Sequence, residues 1–470
     1  MNKLSRSDIF NYAFYMFTDS LVVVMPLGYM SVFLTDNLMM SAALMGTLIL
    51  VARLVDTVVG ILSGGIIQRA REKGTMYSKW ITATRWIVSV GVILMFTNTT
   101  GTPMAVRCVL SFIAYCMVNC SMNFVQTSQF NILAVMGGAS MENRNKLAFR
   151  GTQFVAAASI LSSLITVPLI TGLQPVVGSA YSYMIVSVIY AIPYIFGCHF
   201  LAKACLKYER ASTVSVGPSI PVREMVKSVV TNSQLLILLV VNSISYMGTF
   251  IIMTLAAYYF IYVLGNFMLM AVSMTISTVF GLFAAIVGPK VGVRLGKKRA
   301  MVIGLLVGVI GQLLIFFFAR NSVVPYVIIG CCASLAGYFY LGFGANYVLD
   351  CGEYHFHKTG KDNRAVAMGM MTFPIKIGLI VGGAVGSFGL AVIGYTAGMA
   401  PSPDFVSNFM IVFSLIPAAL SFIAMLVMLF GYHISDADAA RYAKENAERA
   451  AAYVAAKAAA DSAENTLPSN

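Results

Sequence analysis

Thr372-Phe-Pro-Ile-Lys376-Ile-Gly378 lies near the front of the apolar run 366–394, and the reading of that stretch decides the fold. If the run crosses a bilayer, Lys376 sits roughly two to three helical turns inside the hydrocarbon. A charge at mid-membrane costs about 2.5–3.5 kcal/mol on insertion scales. That is tolerable where the ammonium faces a bundle interior and meets a carboxylate. The candidate partner stands far away in sequence, in Val51-Ala-Arg53-Leu-Val-Asp56 of the apolar run 41–67. Arg53 and Asp56 are three apart and share one helix face. Two buried ionic elements, one in each half of the chain, suit a transporter and not a passive anchor.

The composition agrees. Of 470 residues, 59% are hydrophobic and 10% charged, which lies outside the soluble globular range. About twelve apolar runs are each long enough to cross a ~30 Å hydrocarbon core. Backbone polar groups in lipid must be satisfied internally, so the runs are predicted as helices of an all-α polytopic membrane protein. The predicted spans are 8–34, 41–67, 79–98, 104–133, 148–171 and 179–204, then 230–263, 266–289, 299–319, 323–348, 364–394 and 405–432. The domain reading follows: an N-terminal six-helix half (1–206), a polar linker (207–229), a C-terminal six-helix half (230–432) and a polar tail (433–470). The tail reads as a solvated helix that frays toward Asn470.

A net charge of +13 raises nucleic acid as a partner, but the positions of the basic residues explain it otherwise. Alternate loops collect Arg69, Arg71, Lys73 and Lys79, then Arg144 and Lys146, then Lys203 to Lys227, Lys290 to Arg299, and Lys358 to Arg364. The opposite loops hold almost none, Arg320 being the clearest. By the positive-inside rule both termini face the cytoplasm, in the bacterial inner membrane. The basic start (Lys3, Arg6) leads into a full-length span and not a cleavable signal peptide. Two short, basic, glycine-containing turns, Gly65–Arg71 and Pro289–Arg299, follow the second and eighth spans, a weak repeat that supports two related halves.

The eight cysteines are scattered, with neither disulfide framework nor zinc spacing. His355 and His357, near Asp350 and Glu353, invite a metal but are read as part of a charged loop after the tenth span. No nucleophile–base pair or phosphate loop suggests an enzyme, no cofactor is expected beyond a coupling ion, and no obligate protein partner is predicted.

Several pieces together resemble the glycoside–pentoside–hexuronide:cation symporters, the melibiose-permease branch of the major facilitator superfamily. They are Phe33-Leu-Thr-Asp36, Gly46 through Asp56, Arg144 and Arg150, Tyr258-Tyr-Phe-Ile-Tyr262-Val-Leu-Gly265, Asp350-Cys-Gly-Glu353-Tyr354, Thr359 through Arg364, and Lys376-Ile-Gly378. The resemblance implies two six-helix halves, with a cation site between the second, fourth and eleventh helices and a sugar site beside it. It makes Asp56 a cation ligand and Lys376 its charged neighbour, with Arg150 and a first-helix carboxylate holding substrate. The chain also departs from that pattern. A second carboxylate one turn after Asp56 is replaced by Gly60. The fourth-helix carboxylate falls near Thr127 and a following aromatic near Asn131. Counting back from Asp36, the first-helix carboxylate falls on Ser20, one residue from Asp19. A cytoplasmic acidic residue before Arg69 is Gln68.

For cation coupling the candidates are therefore Asp56, Lys376, Thr127 and Arg53. Asp56 either binds the ion or forms a static pair with Arg53 or Lys376. Sodium prefers several oxygen ligands, which the lost carboxylates make scarcer, whereas a proton needs one base of suitable pKa. For substrate the candidates are Asp19, Ser20, Arg150, Asn131, Asn123 and Tyr258. Asp19 either accepts from substrate hydroxyls or pairs with a cation such as Arg150. Arg150 has a fork suited to a polyhydroxylated or anionic ligand, or is an ordinary interfacial arginine. The amides and hydroxyls from Asn119 to Asn131 would be costly against lipid and should line a wet cavity or bond neighbouring helices. Tyr12, Phe14, Tyr15, Tyr246 and Tyr258 could offer flat apolar faces. Gly378, Gly382, Gly383 and Gly386 predict close helix packing. The function expected is symport of a sugar, glycoside or uronide with H+ or Na+. The alternatives are a relative carrying a lysolipid or organic anion, and a non-transporting receptor.

Overall fold

Twelve long helices in two sets of six carry the described chain. They are α1 (Arg6–Gly28), α2 (Ala42–Glu72), α3 (Tyr77–Met95), α4 (Met104–Gly137), α5 (Met141–Val177) and α6 (Ser179–Ala211), then α7 (Ser233–Val263), α8 (Met268–Leu295), α9 (Lys297–Phe318), α10 (Val323–Thr359), α11 (Phe373–Val392) and α12 (Pro403–Gly431). A further helix, α13, covers 436–449. The computed structural model describes residues 4–138, 140–211, 229–360, 362 and 364–449. Of the expected linker, 207–211 continues α6, and 212–228 lies outside the described residues, as does the tail beyond 449.

Eleven of these helices are long and apolar enough to cross a bilayer. The remaining one, α3, carries Lys79 and Arg85 within 19 residues, which lowers its apolar average. Its start is held by its neighbour. Met76 offers no side-chain cap, and the buried Glu209 at the end of α6 accepts from the backbone N–H of Tyr77 (2.6 Å) and Ser78 (3.2 Å). A carboxylate there satisfies two orphan donors and faces the positive end of the helix dipole. Other starts are capped locally, by Ser5 in a reciprocal box with Asp8 and by Ser41, Ser140, Asn232 and Ser402.

Helices extend further than apolar runs suggest. α2 continues to Glu72, and α10 resumes after an interruption at Gly342-Phe343 and runs to Thr359. Asp350, Glu353, His355 and His357 therefore lie on a helix and not in the expected loop. Hydropathy marks only the stretch inside hydrocarbon, while the helix itself continues into the polar layer.

The two halves meet along α11 with α2, α5 with α8, and the ends of α1 and α7. In α11 the glycines do what the spacing predicts: a Cβ on Gly378 or Gly382 would overlap Tyr246 or Met247 of α7, and one on Gly383 would overlap the Arg53 guanidinium of α2. α7 ends in a five-residue π turn, Tyr259–Val263, and a matching one, Phe33–Asn37, follows shortly after α1. The tail helix departs from the solvated expectation. Asn446, 1% exposed, donates to the Glu353 carboxylate (2.6 Å) and its carbonyl (2.9 Å). Tyr442 stacks on His357, and Arg449 donates to the His357 carbonyl.

Candidate functional site

Lys376 leaves α11 in the C-terminal half and reaches into the N-terminal one. Its Nζ lies 3.5 Å from Asp56 Oδ2 of α2 and donates to Asn123 Oδ1 of α4 at 2.9 Å. Asn123 Nδ2 in turn donates to Asp56 Oδ1 at 2.5 Å. One amide thus bridges an ion pair, its carbonyl facing the ammonium and its NH2 facing the carboxylate. Among the described residues this is the one ion pair that joins the halves. Gly60 explains how the lysine fits. A Cβ there would lie 2.5 Å from Lys376 Nζ and 2.7 Å from Asn123 Oδ1, so the bare helix face one turn after Asp56 is the space the ammonium occupies.

Arg53 shares a helix face with Asp56 but turns elsewhere. Its Nε donates to the Tyr115 hydroxyl (3.1 Å) and its Nη1 to the Leu379 carbonyl of α11. It too ties the halves, through a neutral acceptor. Thr127 offers its carbonyl to Asn131 Nδ2 at 2.8 Å, and neither lines the central cavity.

That cavity, of about 630 Å³, lies between the halves, bounded by α1, α4 and α5 on one side and α7, α8 and α10 on the other. Asp19 and Ser20 both line it, so the one-residue ambiguity in register falls on neighbours that share the wall. The Tyr15 hydroxyl approaches Asp19 at 3.4 Å. Arg150 is elsewhere: it donates to Gln153 at 3.0 Å and borders a separate groove with Arg6 and Phe10. Much of the polar lining went unread in the sequence. Ser159, Ser162 and Ser163 of α5 and Ser273, Ser277 and Thr278 of α8 face the cavity. Their spacing of three and four within apolar runs was the available signal, a hydroxyl stripe on an otherwise oily helix.

A third feature closes one end. Asp36, in the π turn after α1, accepts from Thr35 (2.7 Å), from Tyr262 of α7 (3.0 Å) and from Tyr395 beyond α11. The Thr35 and Tyr258 hydroxyls meet at 2.8 Å. Tyr258, read from sequence as a sugar contact, is thus fully buried in this seal and does not line the cavity. Its signal pointed to polarity and aromaticity but could not name a partner 223 positions upstream.

Residues 12–436 match the family of MFS/sugar transport proteins. The chain belongs to that family. Its relatives include an isoprimeverose transporter of Lactiplantibacillus pentosus, 26% identical over 85% of this chain and 83% of the relative. A glucuronide carrier protein homolog of Escherichia coli is 23% identical over 86% and 87%. A candidate glycoside/cation symporter of the same organism is also 23% identical, over 86% and 87%. Among solved structures, the nucleoside transporter NupG superposes with a TM-score of 0.62 at 14% identity, covering 91% of this chain and all of that one. This family member is therefore a transporter and not an enzyme, built on the major facilitator fold with its two six-helix halves.

Proposed function

We propose that the chain is a secondary active transporter that moves a sugar or glycoside together with a cation, by alternating access of the central cavity. The observation that carries this reading is the bridged pair Asp56–Asn123–Lys376, which spans the two halves. The lysine occupies the place a small cation would take beside Asp56, so ion and ammonium compete for one carboxylate. An incoming ion releases Lys376 and with it the tie between the halves, which links ion occupancy to the conformational equilibrium. The geometry favours the proton. Protonation of Asp56 removes its attraction for Lys376 without requiring further ligands. A sodium ion would have to displace the ammonium and gather oxygens at a position where Gly60 supplies no side chain.

Asp19 is the substrate carboxylate in this reading, supported by its position on the cavity wall. Arg53, Thr127, Asn131, Arg150 and Tyr258 act at a distance from the ligand. The end bearing the start of α1 and the end of α12 faces the cytoplasm, supported by the clustering there of Arg69, Arg71, Lys207, Lys290 and Arg294 at helix ends. The Asp36 seal then closes the outer end. The test is flux into proteoliposomes under imposed proton or sodium gradients. Asp56→Asn should reduce the inside-to-outside sugar ratio to about one while leaving sugar exchange in place. Concentrative uptake retained by that variant overturns the mechanism.

A further inference from the structure

The charge balance of the cavity wall carries the next step, which rests on the sugar-transport reading above. Asp19 is the acid on that wall, and no Lys, Arg or His is among the lining residues. No ion pair to Asp19 is found among the described residues; its hydrogen-bond partner is the Tyr15 hydroxyl. Arg150, the cation that would have neutralised it, is engaged with Gln153 in a separate groove. The hydroxyls add to the same bias. Ser20 donates to the Met16 carbonyl, Ser159 to Val155, Ser162 to Ser159 and Thr278 to Met274. With each proton directed into its own helix, what these side chains have left to offer is oxygen lone pairs. Neutral donors remain, in the Gln126 amide, in the hydroxyls of Ser277 and Tyr326, and in that of Ser273, which is buried without a partner.

A wall of this kind recognises a ligand that brings its own O–H and N–H groups. We infer that the cavity selects polyhydroxylated ligands that are uncharged or carry an ammonium, and turns away those bearing a carboxylate, sulfonate or phosphate. An anionic ligand would meet Asp19 without a counterion in a poorly screened interior and would leave acceptors facing acceptors. Like-charge juxtaposition of this sort is how binding sites exclude the wrong partner. Asp19 is on this account a specificity-determining residue.

The experiment uses the full chain in proteoliposomes and three trios of methyl glycosides with gluco, galacto and manno rings. Within a trio the sixth carbon carries a hydroxyl, a carboxylate or an amine. The hydroxyl and amine members should enter at least tenfold faster than the carboxylate of the same trio. Asp19→Asn should bring the ratio of neutral to carboxylate entry toward one, and Ser159→Lys, which adds a cation to the wall, should raise carboxylate entry in absolute terms. Thermal stabilisation of the detergent-purified wild-type protein by each member gives a second readout that needs no variant, and the carboxylates should fail in it. Carboxylate entry within threefold of the neutral member overturns the inference while leaving sugar transport standing. Entry of none of the nine compounds removes the sugar reading, and this inference with it.

Discussion

Asp56 and Asp36 are both carboxylates of the N-terminal half held by donors from the C-terminal half, yet the donors differ in kind. At mid-helix Asp56 meets the ammonium of Lys376 and a bridging amide. At the end of the bundle Asp36 meets the hydroxyls of Tyr262 and Tyr395. The first arrangement is exchangeable, because another cation can stand where the ammonium stands. The second offers no cation to replace; in the proposed mechanism it opens only when α7 and the segment after α11 carry their tyrosines away. In the proposed mechanism, one chain thus separates a contact that senses an ion from a contact that registers only whether the halves have moved.

Lys376→Met tests the first contact most severely. It leaves Asp56 charged and mostly buried with the amide as its remaining described donor, and breaking such a pair costs about 1–3 kcal/mol when one partner is partly exposed. The thermal midpoint of the purified protein should fall clearly, and the Lys376→Met, Asp56→Asn double variant should recover most of the loss. A single variant as stable as wild type would make the pair a bystander. The seal should respond less. Tyr395→Phe removes one hydroxyl from Asp36 at about 1 kcal/mol, so stability should drop modestly while ion dependence stays unchanged. A shift in ion dependence there would erase the distinction between the two contacts. Gly60→Ala should have the smallest effect on stability, because the flexible end of Lys376 can yield to one methyl group. The apparent ion affinity should nevertheless move severalfold, read from the ion concentration giving half-maximal uptake.

The two contacts were unequally legible in the sequence. Lys376 and Asp56 declare themselves as charges inside apolar runs, where an unpaired charge is too costly to be ornamental. Asn123 does not, since it stands in a row of amides and hydroxyls between Asn119 and Asn131, any of which could face a cavity. Its bridging role depends on which side of α4 meets α2 and α11, a fact of tertiary packing. The seal was harder still. Asp36, Tyr258 and Tyr262 stood out as pieces of a family pattern, but nothing local joins a π turn at residue 36 to tyrosines at 262 and 395. The serines of α5 and α8 were passed over because hydroxyls that bond their own helix are tolerated in apolar spans and raise no alarm. The helical spans were easy by comparison, and errors gathered at their ends, where charged residues prolong α2 and α10 beyond the hydrocarbon.

The tail helix has a use for the experimenter. Its described anchors, Asn446 on Glu353, Tyr442 on His357 and Asp436 on the Lys297 backbone, all belong to the C-terminal half. A dye attached to its exposed face would ride as a passenger on that half, paired with a second dye at the start of α1. The distance between them would then report rocking in real time, with cavity, ion pair and seal left chemically untouched.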